Sequence, residues 1–237
     1  MLIDMHAHSS GISRCCKIPY HEVLRQALAH GMDGVVLTNH YQKSYIRGGD
    51  ADAFVDNYIA EYELTKKYGD EIGCKVFFGI EVTMERYPKV HMLIYGLGPD
   101  FLRAHPDIFD CTQAELYNLV KACGGLLIQA HPFRNGTTVL DTALLDGIEI
   151  NCHPLYKNAY SRELLQIAEE NRLIVTCGGD FHADTYHPTC GMYLPDNAKD
   201  CKDIMAYLLS PAEKKLCIHE PNSNTIETIS IKAFHCE

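Results

Sequence analysis

Five short apolar runs in this chain each end in His, Glu or Asp, and that recurrence restricts the fold more than any other feature. Leu2-Ile3 leads into Asp4-Met5-His6-Ala7-His8, Gly34 to Thr38 reaches Asn39-His40, and Lys75 to Ile80 meets Glu81. Leu126 to Ala130 delivers His131-Pro132, and Leu173 to Cys177 runs into Gly178-Gly179-Asp180-Phe181-His182. Short apolar runs bounded by polar or glycine residues read as buried strands. Helical patterns lie between them. Pro19 opens a helix with Val23, Leu24, Ala27 and Leu28 on one stripe and Gly31 closing it. A second runs from about Asp52 to Tyr68, with Phe54, Tyr58 and Tyr62 as core aromatics. Thr112-x-x-Glu115 is a capping box for a helix ending near Cys123, and Ser161 to Asn171 is another helix. Strand, loop, helix, strand is the unit of a parallel sheet, whose functional groups gather beyond the C-terminal strand ends. The pattern predicts one α/β domain over residues 1–237 whose parallel strands close into a barrel. Residues 190–237 complete it, with a helix near Lys199 to Leu209 and strands near Lys214 to His219 and Thr225 to Lys232.

Residues i and i+2 of a strand share a face, so Asp4, His6 and His8 point the same way. Two imidazoles with one spacer are half of a metal site, although the pair alone also fits two polar residues at a strand end. Glu81, directly after an apolar run, is costly to bury unless paired or bound to a cation. His91 enters the next strand, Val90 to Tyr95, where it can face Glu81. Pro132 stops its strand and holds His131 at the tip. Arg134 is the first candidate for gripping a phosphate, because guanidinium binds phosphate oxygens bidentately; Arg14, Lys17 and Arg47 are further cations near the strand ends. Tyr41 to Asp52 is a loop long enough to cover a site. Cys15 or Cys16 is a candidate soft ligand. Outside the pattern, His21 and His30 read as helix-surface residues and His105, His219 and His235 as loop or terminal ones, while His153 and His187 follow strand ends and can reach the site.

Composition removes several classes. A net charge of -10 argues against a nucleic-acid scaffold, which needs clustered Lys and Arg. The eleven cysteines include no Cys-x-x-Cys spacing, and the chain opens directly on a strand, so the expectation is reduced thiols in the cytoplasm. No apolar run approaches the ~20 residues of a membrane span. Nothing in the sequence bears on oligomeric state.

Taken in order, Asp4-x-His6-x-His8, Asn39-His40, Gly79-Ile80-Glu81, His91, Ala130-His131-Pro132 and Gly179-Asp180-x-His182 resemble the motifs of the PHP (polymerase and histidinol phosphatase) family over roughly residues 1–185. The resemblance implies a distorted seven-stranded (β/α)7 barrel with two or three divalent metals, Zn, Mn or Fe, at its C-terminal rim. It also implies phosphoester hydrolysis. Carried over by position, His6, His8, Glu81 and Asp180 would hold one metal; Glu81 would bridge to a second bound by His91 and His131; His40 and His182 would serve a third. The chain departs from the pattern at Ser13-Arg14-Cys15, where many members carry Asp or His, and at Asn39, where Asp is usual.

The resulting expectation is a metal-dependent phosphoesterase for a small phosphorylated metabolite, with Arg134, Arg14 and Lys17 contacting substrate and, where no third metal binds, His182 or His40 protonating the leaving group. Two other readings fit the same ligands: another metal-assisted hydrolysis, of an amide or a protein phosphotyrosine, and a non-catalytic, metal-stabilised accessory module.

Overall fold

The computed structural model describes residues 1–46, 49–87, 89–156, 158–221 and 225–236; Arg47 lies outside them. The opening run forms strand β1 (Leu2–Ala7), buried from Ile3 onward. Helix α1 (Tyr20–Ala29) lays Val23, Leu24 and Ala27 against the sheet, but Leu28 falls off that stripe and is 37% exposed. Strand β2 (Gly34–Leu37) then pairs parallel to β1. It breaks at Thr38-Asn39 and resumes as β3 (His40–Tyr41). Helix α2 (Ala51–Ile72) starts on the Asp50 side chain and ends at Gly73 in the left-handed conformation, about one turn beyond the expected Tyr68.

The following run is also broken, into β4 (Lys75–Phe78) and β5 (Ile80–Thr83), at Gly79. A Cβ on Gly79 would lie 2.7 Å from Thr38 Cγ2 and 2.8 Å from Val36 Cγ1, so glycine is needed where the two interrupted strands cross closely. Tyr58, buried on α2, places its hydroxyl 2.6 Å from the Asn39 carbonyl and 3.1 Å from the Gly79 carbonyl, supplying a donor to both breaks. His40 and Glu81 follow those breaks directly and pair across β3 and β5. Of the aromatic stripe of α2, Tyr58 is core and sets the strand geometry under the site, while Phe54 and Tyr62 are half-buried against it.

Strand β6 (His91–Tyr95) runs antiparallel to both β5 and β7 (Leu126–Gln129), which corrects the expectation of uniformly parallel strands. The reason is local: residues 84–90 are too few for the crossover of roughly a dozen residues that a parallel pairing requires. Between them lie α3 (Pro99–Ala104), with Pro at its first position, and α4 (Gln113–Ala122), whose Thr112–Glu115 capping box is complete. Strands β8 (Gly147–Asn151) and β9 (Ile174–Gly178), separated by α5 (Ser161–Asn171), continue the sheet in parallel. The C-terminal part adds β10 (Gly191–Tyr193), α6 (Cys201–Leu209), β11 (Lys214–His219) and β12 (Ile226–Ile231).

The result is a mixed α/β fold of two six-stranded sheets, ordered β12-β11-β10-β1-β2-β4 and β3-β5-β6-β7-β8-β9, with six α-helices among the described residues. The sheets meet twice: through the broken strands on one side, and through a parallel bridge between Ala7 and Phe181 on the other. One apolar cluster holds Met5, Ile80, Leu93, Ile128 and Ile148 together; a smaller one seats α1 on β1, β2 and β4. No described helix is long and apolar enough to cross a membrane.

Candidate metal centre

The ends of β1, β3, β5, β6, β7 and β9 bring six histidines and two carboxylates to one rim. Ligand atoms of His6, His8, Glu81 and Asp180 all lie within 4.8 Å of one another, and all four residues are buried. His6 Nε2 is 3.4 Å from Glu81 Oε1 and 3.4 Å from Asp180 Oδ1; His8 Nε2 is 3.4 Å from Glu81 Oε2 and 2.9 Å from Asp180 Oδ1. Ligands about 2.1 Å from a cation are separated by about 3.0 to 3.4 Å along the edges of an octahedron or tetrahedron. These contacts, with one Glu81 oxygen toward each histidine, are close to that spacing. His6 Nε2, His8 Nε2, His40 Nδ1, Glu81 Oε2 and Asp180 Oδ1 are all buried without a hydrogen bond, a costly state for isolated polar atoms and the expected one for lone pairs aimed at a cation.

The outer nitrogens explain why the lone pairs face inward. His6 Nδ1 lies 2.8 Å from Glu149 Oε1, and Glu149 Oε2 accepts the His131 backbone N–H at 2.9 Å. A carboxylate can only accept, so His6 carries a proton on Nδ1, and the neutral ring presents Nε2 as the bare acceptor. His8 is fixed in the same way. Ser13 Oγ donates to Asn39 Oδ1 at 2.9 Å and accepts the His40 N–H at 3.0 Å, leaving it to accept from His8 Nδ1 at 3.0 Å. Asn39 Nδ2 in turn donates to Ser9 Oγ at 3.0 Å, a bond no Asp could make, and Ser9 Oγ donates to Glu61 at 2.7 Å. Ser13 and Asn39 therefore form one neutral support under His8.

Glu81 is the junction. Beyond His6 and His8, its carboxylate has His40 Nδ1 at 2.6 Å, His91 Nδ1 at 2.8 Å and His131 Nε2 at 3.0 Å. Burial alone would raise its carboxyl, but the His40, His6 and His91 rings hold it well below the usual carboxylate range. Against the same burial, Glu81 lifts His40 to about 10, whereas burial and Arg134 push His131 down to about 3. The compact group around Glu81 contains His40 and His91; a further group joins His8, His40 and His182. His40 thus lies between the places that the resemblance implies for a second and a third metal, while His131 reaches Glu81 from the other side.

Backbone geometry holds two of these residues in unusual positions. Asp180 and His131 have φ of 53° and 30°, in the left-handed region that costs non-glycine residues roughly 1–3 kcal/mol. Gly178 precedes Asp180 where a Cβ would lie 2.6 Å from His6 Cβ, so glycine allows β9 to approach β1. Asp4 shares a face with His6 and His8 but does not join the converging atoms. Its Oδ1 accepts the N–H groups of His6 at 3.0 Å and Gly179 at 2.9 Å, tying β1 to the Asp180 loop, and burial pushes its carboxyl up to about 7.

A cavity of about 430 Å³ opens above this floor, bordered by Cys15, Lys17, Lys89, Arg134, Tyr156 and His182. Arg134 lies at its wall, bonded to Asp180 and Asn151 and stacked 4.1 Å over the Tyr156 ring. Lys17 is at the rim as expected, and Lys89, which the sequence reading passed over, joins it. Arg14 is placed elsewhere: its guanidinium donates to the Ser44 and Tyr45 carbonyls at 3.2 and 2.9 Å, so the substrate contact expected of it is not available from this position. Cys15 borders the cavity beside His40 and His182, whereas Cys16 is buried with its Sγ 3.5 Å from the His8 carbonyl.

His153 reaches the cavity, where it forms a further candidate ligand group with Asp180 and His182, but in this arrangement both its ring nitrogens are engaged. Its Nδ1 accepts the Leu155 N–H at 3.2 Å, so Nε2 carries the proton toward Tyr186 Oη at 3.0 Å. Tyr186 also accepts the His182 N–H at 2.7 Å, making His153 and Tyr186 a brace for the Asp180–His182 loop. His187 instead stacks on His30 with ring centroids 4.0 Å apart. Glu149 was missed although its signal was present: a carboxylate inside the apolar run Gly147 to Asn151 is the same anomaly that marks Glu81.

No family model matches the chain, and no curated protein does. Solved structures do share the fold. A protein from Bifidobacterium adolescentis, provisionally described as a metal-dependent phosphoesterase, is 19% identical with a TM-score of 0.56, over 87% of this chain and 95% of that one. PsfC from Pseudomonas syringae is 20% identical with a TM-score of 0.63, over 88% of each chain. An amidohydrolase from Chromobacterium violaceum, solved with sulfate and without metal, is 16% identical with a TM-score of 0.60, over 88% of this chain and 96% of that one.

Proposed function

We propose that this chain is a metal-dependent hydrolase of the PHP type that cleaves the phosphoester of a small metabolite. The observation that carries the reading is the set of buried, unbonded nitrogen and oxygen atoms of His6, His8, His40, Glu81 and Asp180 converging below an open cavity. On this reading the two sheets, joined through their broken strands and the Ala7–Phe181 bridge, form one distorted seven-stranded barrel. His6, His8, Glu81 and Asp180 hold one cation, Glu81 with His91 and His131 a second, and His40 with His182 a third where one binds; Zn, Mn and Fe all suit mixed His and carboxylate ligands. Cations held there supply Lewis-acid activation of water and of the ester.

The protein's own groups do the rest. Lys17, Lys89 and Arg134 bring three cations to the cavity of a chain whose net charge is -10, an arrangement that favours an anionic substrate at this mouth. Arg134 has five N–H donors, enough to bind a phosphate oxygen while keeping Asp180 and Asn151. Where no third cation binds, His182, with Nδ1 2.6 Å from the Asp180 carbonyl, directs Nε2 away from the backbone, from where it is placed to protonate a leaving oxygen. His40 is the alternative proton donor.

The test is metal content by mass spectrometry on protein purified without added metal, together with hydrolysis of an aryl phosphate before and after chelation. Two or more metals per chain and chelator-sensitive turnover are expected. Turnover of amides but not phosphoesters would move the reading to the activity named for the Chromobacterium neighbour. Tight metal with no turnover on either panel would leave a metal-stabilised accessory module, and failure to load Zn, Mn or Fe would remove the centre itself.

A further inference from the structure

Three cysteines meet on the sheet face opposite the candidate centre. Cys152 directly follows β8, Cys177 lies in β9, and Cys190 directly precedes β10. Side chains alternate along a strand, so Glu149 faces His6 while Cys152, three residues on, takes the other side with Cys177. The three sulfurs lie within 4.8 Å of one another, and their residues are 5%, 0% and 1% exposed.

We propose that Cys152, Cys177 and Cys190 form a second metal site, built of thiolates and selective for a soft d10 cation such as Cu(I), Zn(II) or Cd(II). Spacing supports this. Three sulfurs about 2.3 Å from one cation are about 3.8 to 4.0 Å apart in tetrahedral or trigonal geometry, inside the observed limit. Hard cations prefer oxygen ligands, and thiolates select soft ones, so the two clusters divide cations by chemistry.

A route exists as well. A cavity of about 270 Å³ bordered by Pro154, Tyr186, Thr189 and Pro221 reaches Cys152 from outside. On binding, each coordinating sulfur that still carries hydrogen releases it to the buffer as a proton and gives its electron pair to the cation. The Cys177 thiol, whose Sγ is 3.4 Å from the Cys217 carbonyl, exchanges that hydrogen bond for the metal bond. The competing reading is three small apolar residues filling a core, since buried thiols pack well.

The experiment uses the full chain with the exposed cysteines Cys15, Cys123 and Cys236 replaced by serine, titrated with Cd(II) in the presence of a competing carboxylate chelator that contains no thiol. The signal is the ultraviolet thiolate-to-cadmium charge-transfer band, which His and carboxylate ligands do not produce. The expected result is a band saturating at one Cd(II) per chain, lost in the further variants C152S and C190S while the thermal transition is kept. Absence of the band in the starting protein overturns the proposal without any reliance on those variants. A band that survives C152S and C190S overturns it as well, as does an intact mass showing a disulfide within the trio after purification without reductant. None of these outcomes depends on whether the His and carboxylate centre is catalytic.

Discussion

The floor and the wall of the candidate centre are built differently. His6 and His8 on the floor have fully buried side chains, and each has its outer nitrogen held, by Glu149 and by Ser13. His40, His91 and His182 on the wall leave 10%, 22% and 14% of their side chains open. His40 and His91 turn Nδ1, the atom that is anchored on the floor, toward Glu81 itself. A locked tautomer presents a preformed lone pair, so cation retention belongs to the floor. Open imidazoles beside a cavity can meet substrate and exchange protons with it, so turnover belongs to the wall.

The harshest way to break this division is at the junction that both halves share. Glu81→Gln keeps the shape but removes the charge that faces five imidazoles. All tightly held metal and all turnover are expected to disappear, read by metal analysis and aryl phosphate hydrolysis. Unchanged metal content would show that the floor does not need its junction. His182→Asn probes the wall alone: kcat is expected to fall roughly 10²- to 10⁴-fold, the usual worth of a positioned proton donor, with metal content at the floor kept. Parallel loss of metal would merge wall and floor into one unit.

Glu149→Gln sharpens the other half. The amide can no longer fix the His6 tautomer as a carboxylate does, and support of this kind is typically worth about 10- to 100-fold in metal affinity. Competition with a chelator should show that weakening, while kcat at saturating metal stays near that of the parent. A fall in kcat with affinity intact would place Glu149 in the chemistry instead.

The same division explains what could be read from the sequence. The expected ligands other than His91, which stands at the entrance of its strand, followed the end of an apolar run, because period-2 burial and a terminal His, Glu or Asp are local signals. Thr112–Glu115, Gly31 and the α5 span were equally local. What was illegible depends on distant pairings. Ser13 and Asn39 look like loop residues until β1 and β2 lie side by side; the antiparallel β6 is evident only from the shortness of residues 84–90; and β10 is too short to show a period. Arg14 illustrates the opposite error, since nearness in sequence to His8 put its charge at the site while the Ser44 and Tyr45 carbonyls hold it elsewhere. Glu149 was legible in principle and needed only the test already applied to Glu81.

Tyr58→Phe is the mildest probe and the one that best separates strand geometry from chemistry. The hydroxyl touches no candidate ligand; it supplies a donor to the carbonyls of Asn39 and Gly79, where β2 and β4 break just before His40 and Glu81. Removing it from a fully buried position leaves those carbonyls short of a donor at a cost of about 1–3 kcal/mol, read as a lowered denaturation midpoint. If the breaks set the wall, relaxation of β3 moves His40 more than His6, because β1 is pinned independently by Asp4 to the Gly179 N–H. The variant should then lose more in kcat than in metal affinity once its stability loss is corrected for. Equal losses in both would mean that the floor depends on the same breaks, and that floor and wall are one structural element.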